Sequence, residues 1–166
     1  KKGEGTTFVI RIPFKIDQNA DKDKKQKNIA EKSIKDLEIL LVEDNELNME
    51  IAEFILQNEG ASVTKAWNGQ EAVEIFKKSR PDEFDVILMD IMMPVMNGYE
   101  AAKMIRTLDR DDAKTVPIIA MTANAFTEDR LRSKESGMNE HIAKPINAKV
   151  LVKVISELME NKEEDS

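Results

Sequence analysis

Three short apolar runs, Leu37–Val42, Val86–Met89 and Pro117–Met121, fix most of what this chain can fold into. Each is bounded by charged or turn residues and falls far short of the roughly 18 residues of a membrane span. Runs this short with little polar alternation fit strands covered on both faces, as in a parallel sheet. Between and after them the period changes to that of a helix. Leu47, Ile51, Phe54 and Ile55 recur at helical spacing until Gly60, and Ala72, Val73 and Phe76 follow the Asn68-Gly69 turn until Ser79-Arg80-Pro81. Tyr99–Leu108 reads as a third helix and Asp109–Lys114 as a charged loop. A fourth helix from Phe126 to Ser136, closed by Gly137, carries more charge and fewer apolar anchors than the others. Asn147 can cap a last helix whose apolar face is Val150, Leu151, Val154, Ile155 and Leu158. With Ser62–Ala66 and Glu140–Ala143 as shorter strands, strand and helix alternate through about 125 residues, which predicts a doubly wound α/β domain on a parallel sheet.

The N-terminal part has another character. Phe8, Ile10, Ile12 and Phe14 alternate with Val9, Arg11 and Pro13, giving a strand with one apolar face and a proline at its end or edge. Such a strand needs a sheet from elsewhere, or is a bare N-terminal strand or tag remnant. Residues 17–36 are dominated by Asp and Lys and read as a solvated linker. The polar tail from Glu160 is expected to fray. A net charge of −7 argues against generic binding of nucleic acid or anionic membrane. Without cysteine there is no disulfide framework and no thiol chemistry, and with no visible signal peptide or spanning segment a cytoplasmic location is expected.

The chemistry gathers where the strands end. The first ends in Glu43-Asp44, the third in Asp90, the fourth in Thr122, and Lys144 follows the fifth. In open α/β sheets ligands bind outside the carboxyl ends of the strands. A charged residue after one strand is ordinarily the start of a loop, but three carboxylates, a hydroxyl and an amine at four such ends form a constellation. Carboxylates brought together raise each other's proton affinity, a conflict that a divalent cation removes, and hard oxygen ligands suit Mg²⁺. The set also suits phosphoryl transfer to a carboxylate nucleophile. No His/Cys zinc cluster, Ser–His pair or Walker-type glycine loop is present.

Four motifs in order, Leu41-Val-Glu-Asp-Asn45, Leu88-Met-Asp-Ile-Met-Met-Pro-Val-Met-Asn-Gly98, Ala120-Met-Thr-Ala123 and Ala143-Lys-Pro145, resemble the receiver domain of two-component signalling over roughly Leu37 to Met159. The resemblance implies a flavodoxin-like (βα)5 sheet of strand order 2-1-3-4-5. It implies Asp90 as the phosphoacceptor, taking a phosphoryl group from a phosphohistidine. Asp44 matches the direct Mg²⁺ (or Mn²⁺) ligand and Glu43 the more distant acidic position, while Met92 would offer its backbone carbonyl to the metal. Thr122 and Lys144 match the hydroxyl and amine that accompany the phosphoryl group, and Pro145 matches a proline following a cis peptide bond. His141 stands where many receivers carry the Tyr or Phe that moves with the threonine, so its part in a switch is a departure from the pattern.

Gly3, Gly5, Thr6, Thr7 and Phe8 resemble the last glycine box and final strand of a histidine-kinase ATP-binding domain. This resemblance implies the organisation 1–16 kinase remnant, 17–36 linker, 37–161 receiver and 162–166 tail, inside a hybrid histidine kinase. The fragment itself lacks the kinase site. Its partners would be a histidine kinase or a histidine phosphotransfer domain, docking beside the first helix at Leu47, Met49 and Glu50. A stand-alone response regulator and a non-phosphorylated binding module are the alternatives. Phosphatases with an aspartate nucleophile carry a second aspartate two residues on, where this chain has Met92.

Overall fold

A computed structural model describes residues 33–123 and 127–164. The Phe8–Phe14 strand, the glycine-rich stretch before it and most of the linker lie outside the described residues, as does Phe126 at the expected start of the fourth helix. The order is β1 (Glu38–Val42), α1 (Glu46–Asn58), β2 (Ser62–Ala66), α2 (Gly69–Lys78), β3 (Val86–Asp90), α3 (Gly98–Arg106), α4 (Asp112–Thr115), β4 (Ile118–Thr122), α5 (Thr127–Glu135), β5 (Glu140–Ala143) and α6 (Ala148–Glu164). The five strands form one parallel sheet of order β2-β1-β3-β4-β5, the order that the resemblance to receiver domains implied.

Every residue of β3 and β4 is buried, which is why their sequences show no polar alternation. The pleat divides them between two cores. Leu40, Val42, Ile87, Met89, Ile118 and Ala120 pack with residues of α2 and α3, including Phe76 and Ile105. Ile39, Leu41, Val86, Leu88, Ile119, Met121 and Ile142 pack with Met49, Ala52 and Leu56 of α1 and with Leu151 and Ile155 of α6. Side chains alternate across a strand. Glu43, Asp90 and Lys144 thus continue the α1/α6 face, while Thr122 and His141 continue the opposite one.

Local chemistry sets the helix ends. Asn45, Asn68 and Asn97 each accept a hydrogen bond from a first-turn amide, and Asn97 with Glu100 forms a reciprocal capping box. The side chain of Asn147 accepts from the Val150 amide at 3.2 Å and starts α6. At the end of α1 the amides of Gly60 and Ala61 donate to the Gln57 and Leu56 carbonyls with Gly60 at φ 89°, a left-handed cap that needs no Cβ. Gly98 serves a different purpose: a Cβ there would overlap the Asp90 carbonyl oxygen, so α3 can begin directly against the end of β3 only with glycine.

The structure departs from the sequence reading in four places. The stripe Leu47, Ile51 and Phe54 is 64%, 45% and 71% exposed, because α1 faces the sheet with Met49, Ala52 and Leu56 instead. Ile34, within the charged linker, is fully buried among the α1-side core residues, so the folded unit takes in the end of that segment. The polar tail is not irregular from Glu160, since α6 continues to Glu164. Finally, the expected loop 109–114 contains α4 and a buried ion pair. Arg110 binds Asp112 through both carboxylate oxygens at 2.7 and 2.6 Å, lies 4.6 Å above the Phe76 ring, and donates to the carbonyls of Phe76, Ser79 and Arg80 at the end of α2. A cation there satisfies carbonyls that have no helical partner and opposes the negative end of the helix dipole.

Two outcomes follow from this packing. Gly98→Ala should lower stability by about 1–3 kcal/mol, the usual cost of overpacking, with the loss read by denaturant melts. The hydrogen bond from Arg110 holds the Asp112 carboxyl below the usual carboxylate range. Its contribution is therefore complete above the unfolded pKa of about 3.9 and disappears as pH falls through the lower folded value. Asp112→Asn should cost about 1–3 kcal/mol at pH 7, and melts followed below pH 4 should show a shallower acid loss than wild type.

Candidate phosphoacceptor site

The sheet's carboxyl edge brings together the residues that the strand ends suggested. Glu43 is 1% exposed and Asp90 4% exposed, so both carboxylates are inside the fold, while Asp44 is at the surface. One oxygen from each of Glu43, Asp44 and Asp90 lies within 4.8 Å of the others. Lys144 enters between the two buried carboxylates, its Nζ 2.7 Å from Asp90 Oδ2 and paired with Glu43 Oε2. The main-chain Lys144 amide donates to the Thr122 carbonyl at 2.7 Å, and the Lys144–Pro145 peptide is cis. Thr122 is buried at the end of β4, one residue past the level of Asp90, which pairs in register with Met121.

Electrostatics keep this arrangement tense. Burial pushes the Asp90 carboxyl above the usual carboxylate range, against the opposing hydrogen bond and charge of Lys144. Burial alone would lower the Lys144 pKa, but its bonds to Asp90 and Glu43 outweigh that and raise it. The lysine therefore stays charged and serves as the internal counter-ion. Three carboxylates against one ammonium leave a formal charge of −2 at the edge of the sheet. That deficit, the all-oxygen ligand set and the close spacing fit a divalent cation.

Asn48, on the first turn of α1, was not singled out in the sequence. Its Nδ2 donates to Glu43 Oε1 at 3.0 Å, leaving Oε2 for the lysine. The signal was weak: an asparagine three residues after a capping asparagine looks like ordinary helix-start chemistry. The Met92 amide donates to Asp90 Oδ1 at 3.2 Å, and the Met92 side chain is 77% exposed. Beyond it Pro94–Met96 makes a γ-turn, the Met96 amide donating to the Pro94 carbonyl at 2.8 Å with Val95 at φ 69°. The Met96 carbonyl then accepts from Gly69 at 3.1 Å, tying this loop to the start of α2.

His141 lies away from the carboxylates. Its Nδ1 is 3.1 Å from Glu140 Oε1, and with Ser133, Lys134 and Met138 it lines a cleft of about 390 Å³ between α5 and β5. Of the residues expected to meet a partner, Leu47 and Glu50 are exposed, but Met49 is fully buried against the sheet and cannot touch one. The helical period places it with Ala52 and Leu56 and not with Leu47. A small cavity of about 80 Å³ between Asn48, Ile51, Lys144, Pro145 and Ile146 extends the exposed face of α1 toward the charged site. Among the described residues no helix is long and apolar enough to cross a membrane.

Residues 39–156 match the response regulator receiver domain family. The receiver domain of the sensor histidine kinase PA1611 from Pseudomonas aeruginosa, solved with magnesium in its active site cleft, is 38% identical, with a TM-score of 0.68 over 75% of this chain and 98% of that one. The receiver of Saccharomyces cerevisiae Ssk1, solved with the phosphotransfer protein Ypd1, is 34% identical, with a TM-score of 0.66 over 75% of this chain and 89% of that one. The aerobic respiration control sensor protein ArcB of Escherichia coli is 30% identical over 99% of this chain and 20% of its own length. This chain spans 5–20% of the length of the hybrid and sensor kinases it matches. With the motifs at the strand ends, the 2-1-3-4-5 sheet and the acidic pocket all in agreement, the chain belongs to the response regulator receiver domain family of two-component signalling.

Proposed function

We propose that Asp90 accepts a phosphoryl group from a phosphohistidine in a Mg²⁺- or Mn²⁺-dependent reaction. The observation that carries this reading is the Lys144 ammonium held between Glu43 and Asp90, beside an uncompensated acidic cluster. In the transfer an Asp90 oxygen attacks phosphorus as the bond from phosphorus to the donor imidazole nitrogen breaks, leaving an acyl phosphate. A divalent cation held by Glu43, Asp44, Asp90 and the Met92 carbonyl supplies charge neutralisation for the phosphoryl oxygens and the crowded carboxylates. Lys144 already bonds the acceptor carboxylate and pairs next with a phosphoryl oxygen, and Thr122 donates to another. The added group brings the Asp90 charge from −1 to about −2. That change biases the α5–β5 side, where Thr122 and His141 lie and where the described α5 side chains include the 60% exposed Leu131.

The donor or acceptor is a histidine kinase or phosphotransfer domain seated on Leu47 and Glu50, with Ile51 and Phe54 completing the apolar stripe and the cavity beside Pro145 receiving one side chain. The parent is a hybrid histidine kinase, with 1–16 the end of its ATP-binding domain and 17–36 the linker; the similarity to ArcB over nearly the whole chain, N-terminal residues included, supports this. The receiver acts on the cytoplasmic side.

Incubation with acetyl phosphate and Mg²⁺ should add one phosphoryl mass to wild type, none after chelation, and none to Asp90→Asn. Because burial raises the Asp90 pKa, its folded state binds the proton more readily and its charge costs stability at neutral pH. Asp90→Asn should thus melt no lower than wild type, which separates loss of chemistry from unfolding. Equal phosphorylation of the variant would remove Asp90 from its role. Phe54→Asp should weaken binding to a cognate phosphotransfer domain at least tenfold, roughly the loss of a buried aromatic contact, while leaving acetyl phosphate labelling intact.

A further inference from the structure

The chain has nine methionines and no cysteine, so thioethers are its only sulfur. Met49, Met89 and Met121 are fully buried, Met138 and Met93 nearly so at 5% and 9%, while Met104 is 45% and Met92 77% exposed. The most exposed methionine therefore sits two residues from the acceptor aspartate, and its amide is bonded to the Asp90 carboxylate. Bond lengths and tetrahedral angles keep a methionine sulfur within about 5 Å of its own amide nitrogen. Met92 also lines a groove of about 450 Å³ with Ile91, Met93, Asn97, Tyr99 and Arg132, so a change in its polarity alters the surface just beyond the end of β3. Its loop is fixed at both ends by the Gly69–Met96 and Gly98–Ile91 hydrogen bonds, so it cannot carry the side chain away.

We propose that Met92 is an oxidative modification site whose sulfoxide shortens the life of the acyl phosphate on Asp90, an inference that rests on the phosphoacceptor reading above. The oxidant is a peroxide. The thioether sulfur attacks one peroxide oxygen, the S–O bond forms as the O–O bond breaks, sulfur loses two electrons, and the departing hydroxide or alkoxide takes a proton to give water or an alcohol. The new S=O group is a hydrogen-bond acceptor where an apolar thioether stood. It orients water for attack on phosphorus, after which the bond from phosphorus to the Asp90 oxygen breaks and inorganic phosphate leaves.

The test treats the full chain with hydrogen peroxide, maps oxidation by peptide mass, labels with acetyl phosphate and Mg²⁺, removes the donor and follows loss of the phosphoryl group. Met92 should oxidise ahead of the other methionines, and the phosphoryl group should then leave about 3–10-fold faster, with methionine sulfoxide reductase restoring the slow rate. For Met92→Leu the ratio of treated to untreated rates should be near one whatever its own rate, and for Met104→Leu it should match wild type. Preferential oxidation elsewhere, an unchanged rate after Met92 oxidation, or a peroxide effect that survives in Met92→Leu overturns the proposal while the phosphoacceptor reading stands. If untreated wild type takes up no phosphoryl group, both fall together.

Discussion

The buried ammonium of Lys144 between Glu43 and Asp90 is the interaction that organises the carboxyl edge of the sheet. It joins the ends of β1, β3 and β5, strands that are not all neighbours in the sheet, through one side chain. Burying two carboxylates costs several kcal/mol unless the charge is answered, and a lysine with two partners answers only part of it. The fold holds the remainder as unmet negative charge at its edge. An apolar core of two layers holds that edge in place. Fully covered central strands fix the positions of Glu43, Asp90 and Thr122, and the caps at Asn45 and Asn97 start helices immediately beyond them.

Much of this was legible in the sequence because it is written in period and position. β3 and β4 are apolar throughout because both faces are covered, and the polar residue ending each run falls at the sheet edge by geometry alone. Asp90, Thr122 and Lys144 could be found that way without reference to contacts. What could not be read depends on which partner a polar or apolar group finds in space. Leu47, Ile51 and Phe54 satisfy a helical period as well as Met49, Ala52 and Leu56 do, and only the sheet decides which stripe is covered. Ile34 sits in charged surroundings that hide its role as a core residue.

Arg110 and Asp112 show the same limit for charges. The charged stretch Asp109–Lys114 reads as solvated loop, yet this pair is largely buried and joins α4 to the carbonyl end of α2. Arg106 does comparable work nearby, donating to the carbonyls of Gly137 and Ala113 and to Asn139. Long side chains that satisfy backbone oxygens in remote segments leave no periodic trace: Gly137 lies 31 residues from Arg106, and Phe76 lies 34 from Arg110.

The pleat has a directional consequence. Lys144 and the acidic pair continue the α1/α6 side of the sheet, whereas Thr122 and His141 continue the side carrying α2, α3 and the α5–β5 cleft. A group bound at Asp90 would thus meet side chains from both faces of one sheet. The apolar stripe of α1 and the α5 surface lie in different directions from the same carboxylate, so a molecule resting on one need not obstruct the other. The sheet acts as a partition with a single opening, and a charge placed in that opening is felt in both compartments at once.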